Sequence, residues 1–253
     1  MAGHDPGAEH MAGGIDRKAA LAYSQAAIGH PLGDYRLIDS DGNPVQLADF
    51  RGRPLILSLV YTSCHHVCPM LTTHLKGVVE MARDLFGEEG FTVATIGFDT
   101  PVDTPRRMAE FAHARGIDDP GWHFLSADAE TIRRLAADTG FLYQPSPRGF
   151  DHLAQITLVD ARGVVHQQVY GADFEPPRLI EPLKELVYGT PSRATEPSGW
   201  LNRVRLFCTL YDPASGRYRF DYSIFIGILV GLMSLGAIAV FIFRSWRETR
   251  GSA

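Results

Sequence analysis

The sequence predicts an α/β domain with a central sheet flanked by helices over residues 29–190, followed by one C-terminal transmembrane helix. Two observations predict the domain. Short apolar runs, as in buried strands, alternate with segments of helical periodicity. Helix caps and glycines separate those segments. A third observation predicts the span. Ile224–Phe243, "IFIGILVGLMSLGAIAVFIF", is about 20 residues without a charge, enough to cross a hydrocarbon core of about 30 Å.

The 253 residues are 45% hydrophobic and 21% charged, which is globular composition with material for one full core. A net charge of -5 and the lack of a basic stripe argue against nucleic acid as a partner. Three cysteines are too few for a disulfide scaffold. Cys64 and Cys68 lie close together, so they read as a site. Cys208 stands apart and reads as a packed thiol near the membrane.

Residues 1–28 are expected to be a flexible N-terminal segment with one helical stretch, "DRKAALAYSQAA". Its Met1, His4, His10 and Met11 are donors that could collect metal loosely. Asp41-Gly42 marks a turn between two extended runs, and "LADFRGRP" is a short helical turn and loop. Leu55–Tyr61 is continuously apolar, as a strand buried on both faces should be. From Pro69 a helix follows, with Leu71, Leu75, Val78, Val79 and Leu85 on one side and Gly87 and Gly90 at its end. "FTVATIGFD" is a second buried strand ending at Asp99. Thr104 caps the next helix, Pro105 suits its first position and Gly116 ends it. "WHFLSAD" is a strand, and Asp128 caps another helix. "DHLAQITLVDARGVVHQQVYG" is a strand opened by His152, a turn at Arg162-Gly163 and a second strand. Residues 176–187 form a last helix.

Residues 191–222 are a linker and juxtamembrane segment, 223–243 the transmembrane helix and 244–253 a short basic tail. Tyr222 and Trp246 suit interfacial anchors. Gly227 and Gly231 form a small-residue pair at helical spacing. Arg244, Arg247 and Arg250 favour a cytoplasmic C-terminus, which places the α/β domain outside the cytoplasm. Residues 1–30 show no apolar signal-peptide core, so the route of export stays open.

"VYTSCHHVCPML" puts Cys64 and Cys68 where a buried strand gives way to a helix. Backbone N–H groups at a helix start favour anions such as thiolates. Cysteines four apart on a helical turn share a face, so they can form a disulfide or bind one metal. The strand–thiol–helix arrangement resembles thioredoxin, with three residues instead of two between the cysteines. His152 stands two residues before the place of the usual thioredoxin proline, here Ala154, where a side chain can reach the thiols. Two thiolates and one imidazole suit copper, Cu(I) above all, and zinc also accepts such a set. His65 and His66 read as solvent-facing loop residues.

The C-x-x-x-C-P motif after a buried strand, "FDTPVDTP" at 98–105 and "DH" before "LVDARG" are similar to the motifs of the Sco/SenC/PrrC family, in order and spacing. The resemblance covers about residues 29–190. It implies a thioredoxin-like fold with a mixed sheet and a membrane anchor. It also implies that Cys64, Cys68 and His152 are copper ligands, with Asp99, and Asp103 as a second candidate, in an aspartate motif near them. As partner it implies the copper-bearing subunit of cytochrome c oxidase, served by copper delivery or by thiol reduction at its CuA centre. The expected location is the inner membrane, with the domain facing the periplasm. The chain departs from the family pattern at His65 and Thr100, where prolines are common, and in its C-terminal anchor. Three other readings remain. In a thiol–disulfide oxidoreductase, Cys64 would attack and Cys68 resolve. A peroxidase would need a proline ahead of the thiol that "SLVYTSC" lacks. A copper or redox sensor would use the same residues. The sequence leaves the oligomeric state open.

Overall fold

"LILSLV" at 55–60 and "TVATIG" at 92–97 are buried at every position. Strands without alternation must be covered on both faces, and this requirement organises the molecule. The computed structural model describes residues 15–64, 67–147 and 149–189, and toward the C-terminus 209–212, 217–220, 226, 230–236 and 238. The chain divides into two units, Met1–Ser192 and Arg193–Ala253.

In the first unit, α1 (Arg17–Ala26) precedes a hairpin of β1 (Arg36–Asp39) and β2 (Pro44–Gln46), and a 3₁₀ turn covers Leu47–Phe50. Then come β3 (Leu55–Val60), α2 (Val67–Phe86), β4 (Thr92–Gly97), α3 (Pro105–His113), β5 (Trp122–Ser126) and α4 (Ala129–Asp138). The hairpin β6 (Tyr143–Ser146) and β7 (Gly149–His152) follows, then β8 (Gln155–Val159), β9 (Val165–Tyr170) and α5 (Pro177–Gly189). The main sheet runs β2-β1-β5-β4-β3-β8-β9. Its centre, β3, β4 and β5, is parallel, and β1, β2, β8 and β9 pair antiparallel. This is the mixed sheet flanked by helices that the sequence predicts.

Several local expectations hold for the reasons given. Thr104 accepts from the Arg107 N–H and Asp128 from the Thr131 N–H, so both cap their helices. Gly42 and Gly163 take φ values of +90° and +88° in their turns. Three expectations need correction. The helical stretch expected at 16–27 forms, over Arg17–Ala26, but it is packed with Ala20 and Ser24 buried, where the sequence placed it in a flexible segment. Helix α2 starts at Val67, two residues before Pro69, because proline fits a first turn whose N–H groups are unpaired in any case. His152 ends β7 and does not open β8; the chain breaks at Leu153 and Ala154 between them.

A buried polar cluster docks α1. Ser24 donates to Gln155 (2.7 Å), Tyr170 donates to Ser24 (2.9 Å), and the Gln155 amide donates to the Thr139 carbonyl (3.0 Å). All are satisfied, which makes burial tolerable.

In the second unit, β10 (Thr209–Asp212) pairs antiparallel with β11 (Arg217–Phe220), and residues 230–236 are helical. Among the described residues no helix is long and apolar enough to cross a membrane. Most of the expected span 223–243 lies outside them, as do Cys208 and residues 1–14.

Gln155→Ala leaves the Ser24 hydroxyl without its acceptor in a dry site, and should lower the unfolding free energy by about 2 kcal/mol. Urea denaturation of the full chain checks this; an unchanged midpoint would mean that the cluster does not hold α1.

Candidate metal centre

The site forms where β3 ends. The chain turns sharply after Tyr61, and the Cys64 N–H donates back to the Tyr61 carbonyl at 3.1 Å. The buried Asp103 fixes this turn. Its Oδ1 accepts from the Thr62 N–H (2.8 Å) and hydroxyl (2.7 Å), and its Oδ2 from the Asp99 N–H (2.9 Å). Gly97 admits the carboxylate, since a Cβ there would lie 2.4 Å from the Asp103 Cβ. Burial pushes the Asp103 carboxyl above the usual range, against the opposing pull of its three hydrogen bonds.

Cys64 lies before α2 and is half-buried, whereas Cys68 lies in its first turn and is buried; both are free thiols. The Cys68 N–H points at the Cys64 sulfur at 3.4 Å, so an otherwise unpaired helix-start amide finds its acceptor there. The Cys68 thiol is pushed far above the ordinary cysteine value, first by its hydrogen bond with Cys64 and then by burial.

His152 approaches from the end of β7, with Nε2 3.9 Å from the Cys68 sulfur. Its Nδ1 lies 2.8 Å from the Leu153 carbonyl oxygen. A carbonyl only accepts, so Nδ1 carries the proton and Nε2 keeps its lone pair toward Cys68. Burial lowers the imidazole pKa, and the ring is therefore neutral at physiological pH. Tyr61, Phe98 and Phe141 surround it, with ring centroids 5.8, 5.6 and 5.3 Å away.

Cys64, Cys68 and His152 thus meet at the strand–helix junction, although His152 is 84 residues from Cys68 in the chain. Among the described residues no three His, Cys, Asp or Glu side chains are already gathered as a closed metal cage. The donors nonetheless fit a soft metal: two thiols, and a neutral imidazole whose second nitrogen is fixed by a carbonyl. Asp99 enters the site through its backbone N–H; its half-buried carboxyl is raised by desolvation. The carboxylate that holds the thiol turn belongs to Asp103. "FDTPVDTP" contained the signal, because Thr104 already caps α3 and leaves Asp103 free for another task. The sequence reading also missed the β6–β7 hairpin that carries His152. His65 and His66 lie outside the described residues.

A cysteine pair at a strand–helix junction of a mixed sheet, faced by a histidine from the β6–β7 hairpin, defines a thioredoxin-like thiol protein. The chain belongs to the SCO1/SenC family, whose model matches residues 24–188. It is 32% identical over 159 residues to the mitochondrial SCO2 homolog of Bos taurus, covering 60% of this chain and 57% of that protein. The match thus spans less than two thirds of that relative's length. Among solved structures, Bradyrhizobium japonicum ScoI with copper bound is 24% identical, with a TM-score of 0.53, and the likeness covers 63% of this chain and 99% of that one. BsSco, a member of the Sco family of cytochrome c oxidase assembly proteins for which a disulfide switch was identified, is 19% identical at a TM-score of 0.55, over 63% and 94%. At these identities the structural likenesses establish the fold.

The two thiols should differ in reactivity. Iodoacetamide at neutral pH should modify Cys64 at least about tenfold faster than Cys68, which is both buried and raised in pKa. Peptide mass spectrometry over time reads the two rates; equal rates would contradict the asymmetry.

Proposed function

We propose that this protein is a membrane-tethered copper chaperone. It holds Cu(I) through Cys64, Cys68 and His152 and passes it to the copper-bearing subunit of cytochrome c oxidase, in assembly of the CuA centre. The observation that carries this reading is the approach of the unprotonated Nε2 of His152 to Cys68, 3.9 Å away, beside the second thiol. Membership of the SCO1/SenC family supports it, as does the copper bound in Bradyrhizobium japonicum ScoI.

Copper is the cargo here. The chain's residues offer it two soft sulfurs and one borderline nitrogen, a set that favours Cu(I). His152 is ready without losing a proton, whereas Cys68 must give one up. Asp103 holds the thiol turn through Thr62, and the aromatic rings keep water from His152. Three donors leave a face open, so the acceptor's thiolates can replace these ligands one at a time.

The tether is part of the proposal, with the α/β domain in the periplasm and the C-terminus in the cytoplasm. Residues 230–236 are helical, and the side chains of Leu232, Met233 and Leu235 are 62–66% exposed, as lipid-facing residues would be. The Ser234 hydroxyl is satisfied by the Val230 carbonyl at 2.8 Å. Tethering would raise the domain's effective concentration near a membrane-bound acceptor. In spheroplasts, a membrane-impermeant maleimide should label Cys64 before lysis; labelling only after lysis would place the domain in the cytoplasm.

A second reading is a thiol–disulfide oxidoreductase acting on the oxidase's copper-site cysteines or on other extracytoplasmic targets. The half-exposed Cys64 with the buried Cys68 behind it favours this, as an attacking and a resolving thiol. Anaerobic Cu(I) titration of the full chain against a chromophoric competitor separates the two. One copper per chain is expected, weakened on the order of a hundredfold by His152→Ala and more by Cys64→Ser. Affinity should rise about tenfold per pH unit through neutrality, since the raised Cys68 thiol must release its proton. Binding indifferent to His152→Ala, with disulfide reduction lost only in Cys64→Ser, would leave the oxidoreductase.

A further inference from the structure

The β10–β11 hairpin lies outside the SCO1/SenC match, which ends at residue 188. Its register pairs Thr209 with Phe220, Leu210 with Arg219, Tyr211 with Tyr218 and Asp212 with Arg217. Residues directly opposite share a face of a sheet, and the two faces alternate along each strand. Thr209, Tyr211, Tyr218 and Phe220 therefore occupy one face, and Leu210, Asp212, Arg217 and Arg219 the other. Every aromatic residue of the two strands falls on the first face and every charged residue on the second.

An aromatic face of this kind needs cover. Among the described residues its sheet consists of these two strands alone. An isolated two-stranded hairpin is at best marginally stable in water. The uncharged run opens at Ile224, four residues after Phe220. Four residues reach at most about 14 Å. The large apolar residues described in that run, Ile226, Val230, Leu232, Met233, Leu235 and Ile238, are 51–66% exposed. Val230, Leu232, Met233 and Leu235 share one helix, and their spacing distributes them around its whole circumference. A helix apolar all round belongs in a core or a bilayer, and this exposure favours the bilayer. The headgroup zone on each side of the hydrocarbon core is about 5–7 Å deep. A strand tied this closely to the core ends in that zone or beside it, where tyrosine is enriched.

We propose that the β10–β11 hairpin is an interfacial foot, which lays its Tyr211, Tyr218 and Phe220 face in the headgroup region of the bilayer beside the span. The charged face of Asp212, Arg217 and Arg219 is then the one turned to water. The inference rests on residues 224–243 spanning the membrane, as the proposed function has it.

The test is a quenching scan of the full chain in phosphatidylcholine nanodiscs. Cys64, Cys68 and Cys208 are replaced by serine, and Arg217→Cys, Tyr218→Cys, Arg219→Cys and Phe220→Cys are made one at a time and labelled with bimane. A nitroxide on the lipid headgroup should quench labels at 218 and 220 at least about threefold more than labels at 217 and 219, and iodide in the water should quench in the reverse order. A smooth decline from 220 to 217 would reflect only nearness to the span and would overturn the proposal. Shielding of 218 and 220 from both quenchers would mean that protein covers the aromatic face, and would overturn it as well. A label at Met233→Cys tests the span separately, since a nitroxide deep in the acyl chains should quench it. Quenching there without alternation at 217–220 would sink the hairpin proposal alone. Alternation without quenching at 233 would remove the span and leave the hairpin as the membrane contact.

Discussion

The site depends on the antiparallel pairing of β8 with β3. Ser58 of β3 lies opposite Ile156 of β8, so β8 begins beside the end of β3. The thiols leave one strand there and the β7 histidine enters the other. A parallel β8 would have carried His152 to the far end of the sheet. Because β3 is buried on both faces, its register cannot slip without exposing apolar residues, and the donors inherit that rigidity.

Around this frame the site stays largely free of net charge. His152 is neutral, the Cys68 thiol is held protonated, and the buried Asp103 carboxyl spends its acceptor oxygens on the turn and on Asp99. A low-dielectric pocket tolerates protonated donors better than isolated thiolates. Soft cations compete well with protons for such sulfurs, so proton exchange accompanies any metal that enters. The asymmetry between Cys64 and Cys68 would suit copper transfer and disulfide exchange alike. That is why a cysteine pair by itself leaves the two chemistries open, and the histidine separates them.

Membership of the SCO1/SenC family accounts for residues 24–188. The second unit, with its β10–β11 hairpin and the apolar helical residues after it, lies beyond that match.

The sequence alone determined the buried strands, the caps at Thr104 and Asp128, and the thiol pair with its histidine. Each of these follows from local periodicity, capping chemistry or donor type, which a linear chain displays directly. Tertiary structure decided what depends on neighbours distant in sequence. Helix α1 looked like part of a flexible leader because its docking partners, Gln155 and Tyr170, lie 131 and 146 residues from Ser24. Asp103 looked like only the second candidate of its aspartate motif because nothing local shows that Thr62 donates to its carboxylate and Gly97 makes room for it. Tyr61 looked like the last apolar residue of a strand. Only a folded sheet sets its ring against Phe98, Phe150 and His152, since a contact between distant segments is fixed by how the strands pair and not by the order of residues along one of them.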